Sequence, residues 1–413
     1  MAEILPFKAI RPNKGMEAQT AALPYDVYSS KEAREKVKGD EHSFLRIDRA
    51  ETQFPEGIDM YSDAVYQKAD ELFRQMLADG EFVRDDEEHY YIYELTMDGR
   101  VQTGIVAVAS IDDYMNGVIK KHENTRADKE KDRIRHVDAL SAQTGPIFLA
   151  YKSSDAINSI VDRIKKTDPD FDFTSDDGIR HRGFVISEND DVRCIKEAFG
   201  SMNAIYIADG HHRCASAVKV GLMRREEHKD YTGKEEFNYF LSVLFPDDQL
   251  KILDYNRVIK DLNGHSEDEI FDYLKTKGKL EGPLPAASKP SRKGEVTIYT
   301  GGKWYLFTFD PSLINDDPVE SLDVSVLQNE VIEPLFGIKD LKTDDRIDFV
   351  GGIRGLKELE RRVETDCKIA FCMYPTGIDE LFEVADKGRL MPPKSTWFEP
   401  KLRSGLFIHE IER

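Results

Sequence analysis

Cysteine is scarce in this sequence. There are four, Cys194, Cys214, Cys367 and Cys372, and none forms a C-x-x-C pair. That excludes a disulfide-stapled scaffold and a zinc-knuckle spacing, and it fits free thiols in a reducing compartment. No stretch approaches the ~18 apolar residues of a membrane span. The first twelve residues lack the basic, apolar and small-residue succession of a signal peptide. The expectation is therefore a cytoplasmic protein with no membrane partner. Positive charge is also in deficit, with 58 Lys and Arg against 78 Asp and Glu, a net charge of -20 and a pI near 5.0. Such a chain repels nucleic-acid phosphates on average, so no nucleic-acid partner is expected. The patterns G-x-x-x-x-G-K-[ST], H-E-x-x-H, G-x-S-x-G and a helix-opening G-x-G-x-x-G are all missing.

What is present is an ordinary globular composition, 40% hydrophobic and 33% charged over 413 residues. That length exceeds one comfortable core. Two regions are expected, 1–245 and 246–413, with a linker-like stretch at 282–293 rich in proline, serine and lysine. Strand-like runs at 4–10, 43–48, 90–95, 102–110, 146–151, 180–186, 204–208, 238–246, 367–373 and 407–411 interleave with helical patterns at 30–38, 60–79, 111–137, 156–166 and 356–363. Hairpin signals stand at Asp98-Gly99 and Gly301-Gly302. The mixture predicts an α/β (α+β) fold around a mixed sheet, with an additional C-terminal α/β region.

The densest chemistry lies where the strand Ala204–Ala208 runs into Asp209-Gly210-His211-His212-Arg213 and a helix, predicted over Cys214–Val220. The first amides of a helix have no partner inside it and attract anions. Gly210 lets backbone approach a ligand, and Arg213 can grip a phosphate or carboxylate with two donors. His211 and His212 can hold a phosphate oxygen or donate a proton. Asp209 reads either as a helix cap or as a base. Cys214 is expected to face the core.

A second polar run, Lys120 to Arg133, reads as part of the 111–137 helix. On that helix His122, Arg126, Lys129 and Arg133 share one stripe, and Glu123 and Glu130 the next. The stripe is a candidate polyphosphate wall, and the other reading is a solvated, salt-bridged helix. Glu123 is the candidate general base. Further substrate-binding candidates are Tyr25 and Asp26, Asn256 and Arg257, and Lys394, Ser395 and Thr396, with Trp397 able to stack on a base. His89, His136 and His181 read as ordinary surface or hydrogen-bonded residues.

The stretches Leu23–Val27, Lys121-His122-Glu123, Thr125-Arg126, Lys129-Glu130, Asp132-Arg133, Ala208–Arg213, Tyr255-Asn256-Arg257, Gly351-Gly352 and Pro393–Phe398 together resemble the prokaryotic domain-of-unknown-function family number 1015 over nearly the whole chain. The D-G-H-H-R turn is also similar to the phosphate loop of the superfamily of ParB nucleotidases, sulfiredoxin and free-serine kinases. That likeness implies a ParB/sulfiredoxin-like core, with Gly210, His211, His212 and Arg213 as the phosphate loop. Glycine at 210, with Asp209 before it, argues against the sulfiredoxin cysteine reaction, and the serine-kinase branch fits better.

The two phosphate-competent clusters and the resemblance lead to one expectation. It is a nucleotide-dependent, kinase-like phosphotransferase acting on a small hydroxylated metabolite such as a serine-like amino acid. It would use ATP or ADP with magnesium. Arg213, Gly210, His122, Arg126, Lys129 and Arg133 would hold the cofactor, and Glu123, Asp209, His211 and His212 would serve catalysis, with no metal held by side chains alone. The alternative is a non-catalytic nucleotide- or metabolite-binding regulatory protein. A homodimer is left open.

Overall fold

The computed structural model describes residues 1–412. The chain forms two compact units, Met1–Leu250 with Pro400–Arg413, and Lys251–Glu399. The sequence placed 400–413 with the second region, whereas this segment packs with the first unit. Ala22 bridges to Ser404, and His409–Glu410 pairs with Ala142–Gln143.

The first unit is built on a nine-stranded mixed sheet. In chain order its strands are β1 Ile4–Leu5, β2 Tyr90–Met97, β3 Arg100–Ser110, β4 Ile119–Lys120, β5 Ile147–Tyr151, β6 Phe171–Thr174, β7 Arg180–Ile186, β8 Ile205–Asp209 and β9 Tyr239–Pro246. Their spatial order is β4-β8-β5-β9-β3-β2-β7-β6, with β1 paired to β3. The β4–β8 and β5–β9 pairs are parallel and the rest antiparallel. Asp98, at φ 51, makes the tight β2–β3 turn that its Asp-Gly sequence announces. Every residue of β9 is buried, as its nearly continuous apolar run, broken only by Ser242, requires of a strand covered on both faces. The main helices are α1 Asp63–Ala78, α2 Ala127–Leu140, α3 Asp155–Ile164, α4 Asn189–Gly200 and α5 His211–Glu227. Ile157, Ile160, Ile195 and Phe199 of α3 and α4 join Leu149, Ile207 and Leu244 in one core. A second core gathers Val65, Ala69 and Phe73 of α1 with Leu140 of α2.

Three expectations change. The 111–137 helix is two pieces: a short helix Ile111–Met115, then β4, then α2 only from Ala127. Gly117 takes φ 75, which ends the first piece, and Ile119–Lys120 pairs with β8 instead. The 4–10 strand is two short ones, β1 and Ile10–Pro12. The 43–48 stretch is helical at Leu45–Asp48, because its apolar residues Phe44, Leu45 and Ile47 point into the second core.

The second unit is a six-stranded antiparallel sheet. Its strands are β10 Tyr255–Ile259, β11 Gly278–Glu281, β12 Glu295–Thr300, β13 Lys303–Phe309, β14 Ile347–Gly351 and β15 Ile369–Met373, in the order β11-β13-β12-β15-β10-β14. Helix α6, Leu356–Thr365, covers one face through Leu359. No helix among the described residues is long and apolar enough to cross a membrane.

Candidate functional site

Strand β8 delivers Asp209 to the start of α5. Gly210 is the N-cap, at φ 95, a left-handed conformation that side chains resist. A Cβ there would also lie 3.0 Å from the Arg213 guanidinium, which folds back over this turn. The helix therefore begins at His211, earlier than the sequence suggested, and both histidines and Arg213 occupy its first turn. Asp209 is not the helix cap. Its Oδ1 accepts from the Gly210 amide at 2.8 Å and its Oδ2 from Lys401 Nζ at 2.9 Å. Burial opposes the charge of Asp209, but Lys401 and then Arg213 outweigh it and hold the carboxyl well below its usual range.

The segment 121–126 lies across this turn. The His122 amide donates to His211 Nε2 in a long bond of 3.4 Å, and the Arg126 amide donates to His212 Nε2 at 2.9 Å. The His122 and His211 rings meet edge to face at 4.5 Å. Glu123 Oε2 stands 3.8 Å from His211 Nδ1. Accepting at Nε2 fixes each of His211 and His212 as a neutral ring with its proton on Nδ1. Burial agrees, lowering all three histidines, with His122 down to about 4. Nδ1–H is thus the one donor each α5 histidine retains, and His211 points its own toward Glu123.

The stripe expected on one helix is dismantled by the break at Gly117. His122 precedes α2, Arg126 is its N-cap residue, and Lys129 stands in its first turn. Arg126 is exposed and pairs with Asp128 at 2.8 Å. Glu130 is buried, accepting from Thr125 Oγ1 at 2.8 Å and pairing with Lys219. Arg133 turns inward. Its guanidinium lies 3.9 Å from the Tyr25 ring centroid and pairs with Asp132 at 2.8 Å, and Asp132 accepts from Tyr66 Oη at 2.8 Å. Ser216 Oγ of α5 shares its one proton between the Glu130 carbonyl at 3.1 Å and the His212 carbonyl at 2.7 Å, bracing α2 against α5.

Tyr25 and Asp26 join the same set. Arg49 fixes their loop by donating to the Tyr25 carbonyl at 2.9 Å. Asp26 is exposed and contributes to the field at His212. Cys214 faces the core, and burial raises its thiol far above the usual range. The structure thus brings together Tyr25, Asp26, His122, Glu123, Arg126, Asp209, Gly210, His211, His212 and Arg213.

Asn256, Arg257, Lys394, Ser395 and Thr396 belong to the second unit. Asn256 Nδ2 donates to Asp254 at 2.6 Å, and its Oδ1 accepts from the Met373 amide at 2.9 Å. Lys394 lies over the Tyr255 ring at 5.5 Å, and Ser395 Oγ donates to the Pro392 carbonyl at 2.7 Å. Trp397 packs edge to face on Tyr255 at 5.0 Å.

Lys401, His136 and Asp48 were not anticipated as neighbours of the cluster. Lys401 follows an aromatic stretch and carries no spacing that ties it to position 209. His136, by sequence an ordinary surface or hydrogen-bonded residue, is of the hydrogen-bonded kind: it is 3% exposed, with Nε2 3.3 Å from the Ile47 carbonyl and 3.8 Å from Asp48.

A mixed-sheet α/β protein with a polar strand-to-helix turn, crossed by a second cationic segment, is the class that this geometry defines. Residues 4–325 match the family described as "Protein of unknown function (DUF1015)", and the chain belongs to that family. No curated protein matches the sequence. Among solved structures, the chain is similar to a free serine kinase in complex with AMP, at 16% identity, TM-score 0.35, and coverage of 75% of this chain and 91% of that one. It is similar to C-terminally truncated SbnI from Staphylococcus aureus, at 12% identity, TM-score 0.36, and coverage of 71% and 82%. A conserved hypothetical protein from Pyrococcus furiosus gives 15% identity, TM-score 0.31, and coverage of 74% and 94%. The chemistry of the site follows from this chain's own residues.

Proposed function

We propose that the first unit is a nucleotide-dependent phosphotransferase acting on a small hydroxylated metabolite, with a serine-like amino acid as the finer reading. The observation that carries it is the pair of hydrogen bonds that the His122 and Arg126 amides donate to His211 and His212, which seat the 121–126 segment on the first turn of α5. A cationic segment remote in sequence is thereby seated on the first turn of α5, beside Arg213, where the first amides have no partner within the helix. Phosphates of ATP or ADP would meet those amides, Arg213 and Arg126, with Lys129 offsetting charge that develops during transfer. The exposed carboxylate of Asp26 is suited to a magnesium ion carried in by the nucleotide.

Transfer moves the terminal phosphoryl group to a substrate hydroxyl, whose proton must go to a base. Asp209 is a poor one, since Lys401 and Arg213 stabilise its ionised form. Glu123 takes the role, its Oε2 standing 3.8 Å from His211 Nδ1. Isothermal titration with ADP and ATP, followed by a product assay on serine and related hydroxy acids, tests the reading. Nucleotide binding with turnover abolished by Glu123→Gln supports it, and absence of nucleotide binding overturns it.

The regulatory alternative draws on one observation. Asp209 is locked to Lys401, and His211 and His212 each spend their Nε2 lone pair on a backbone amide, so the carboxylates of Glu123 and Asp26 are the bases this set leaves. Tight nucleotide binding without turnover, unchanged by Glu123→Gln and Asp209→Asn, is the outcome that reading expects.

A further inference from the structure

Beside the α5 turn lies a cavity of about 30 Å³, walled by Tyr25, Arg133, His136, Thr144, Gly145 and Arg213. The sequence builds it from three directions. Pro24 stiffens the loop that presents Tyr25, α2 supplies Arg133 and His136, and α5 supplies Arg213 from its first turn. The Arg133 guanidinium sits over the Tyr25 ring, 3.9 Å from its centroid, and the cation–π contact helps hold it there. Arg133 gives Nε and Nη2 to Asp132, which leaves Nη1 without a bond. Arg213 anchors its own Nη1 on the Pro146 carbonyl at 2.6 Å. Asp48, on the cavity wall, offsets part of this charge: it acts on Arg133 while accepting from Thr144 Oγ1 at 2.9 Å, so the donor edges of the two guanidinium groups rather than a net charge mark the seat. Burial keeps His136 neutral, its pKa down at about 4. The Tyr25 hydroxyl stays protonated, pushed up to about 12 by burial.

Size selects what fits. A water needs roughly 10–15 Å³ on this measure, so the space suits a group of about two to three heavy atoms. A nucleotide ring is far too large. A carboxylate, with two oxygens in a plane, matches both the volume and the planar donor edges of arginine.

We propose that this cavity is a carboxylate subsite and that the metabolite handled here is a small hydroxy acid, whose acid group seats between Arg133 and Arg213. The proposal rests on the phosphotransferase reading for what happens at the hydroxyl, but the seat itself does not need it. Gly145 is part of the fit. A Cβ at this position would lie 3.2 Å from Ser404 Oγ and 3.7 Å from Arg213 Nη1, directly in the space the acid would take.

The test uses the whole chain and three acid–amide pairs: glycolate and glycolamide, L-lactate and lactamide, L-serine and L-serinamide, with ADP titrated separately. The acids are expected to bind at least about tenfold more tightly than their amides, the loss that follows when a charged partner is replaced by a neutral one. Gly145→Ala and Arg133→Lys should each remove that preference, and Gly145→Ala should leave ADP affinity within about twofold, well under the ~1.4 kcal/mol of a tenfold change. The ligand comparison on the native chain stands even if Arg133→Lys does not fold. Equal binding of acids and amides overturns the subsite, as does an undiminished preference in folded Gly145→Ala. An acid preference without ADP binding keeps the subsite and overturns the phosphotransferase reading. ADP binding without an acid preference does the reverse.

Discussion

Arg133 in the first unit and Arg257 in the second are both buried arginines, 7% and 1% exposed, and they are satisfied in opposite ways. Arg133 has a carboxylate at 2.8 Å, an aromatic face beneath it and a cavity beside it. Arg257 has the Tyr255 carbonyl, the Phe349 ring at 5.4 Å and an Nη2 with no partner. The consequence appears in their charge. Asp132 and Tyr25 raise Arg133 against the effect of burial, whereas burial drags Arg257 down to about 10. A buried cation therefore marks a ligand seat only when its charge is secured and space is left beside it. Arg133 meets both conditions.

The largest expected contrast between the units is in pH. His122 and His136, pushed to about 4, and His181, pushed to about 3, all owe the shift first to burial, and all lie in the first unit. An unfolded histidine takes up a proton below about 6.5 that these refuse in the fold. Stability of the first unit therefore falls as pH drops from about 6.5 to about 4, by up to ~3 kcal/mol per histidine. Asp323 of the second unit has the opposite sign. Burial raises its carboxyl to about 6, so its share of stability is full below about 4 and is lost as pH rises toward 6. Both tryptophans, Trp304 and Trp397, lie in the second unit, so their emission reports that unit alone. In urea at pH 4.5, far-UV circular dichroism should show an early transition that tryptophan emission does not follow, and the gap should narrow at pH 7. Coincident transitions at both pH values break the contrast.

Next in size is the pair of matched substitutions. Arg133→Met strands Asp132 in the interior and should cost about 3–5 kcal/mol. Arg257→Met removes a buried cation that has no carboxylate partner and should change stability by less than ~1 kcal/mol, in either direction. Urea melts read both, and equal losses would erase the distinction. The smallest effect is at the crossing segment. His212→Ala removes the acceptor for the Arg126 amide, which should exchange with solvent at least about tenfold faster at a cost near 1 kcal/mol. Unchanged exchange at Arg126 would show that the segment is held by other contacts.

Much of this was readable from residue patterns. The apolar run of β9, the Asp-Gly turn between β2 and β3, and the strand Ala204–Ala208 entering a helix are local signals, and the structure has each where the sequence put it. The 111–137 helix failed because charge periodicity persisted through Asn116-Gly117, while the decisive interaction was the pairing of Ile119–Lys120 with a strand far along the chain. That break also removed the imagined stripe. His122 and Arg126 still reach the α5 turn, but through their backbone amides, which no side-chain pattern reveals. Lys401 and Asp48 escaped for the same reason: only the fold brings them to Asp209 and to the cavity.

The central claim is that Arg126 and Arg213 act on one nucleotide. A double-mutant cycle on ADP affinity, measured by calorimetry with Arg126→Ala, Arg213→Ala and the double variant, tests it directly. Tight binding by the native chain, with single losses that overlap so that the coupling is at least ~1 kcal/mol, is the predicted result. Strictly additive losses, or no ADP binding at all, would contradict it.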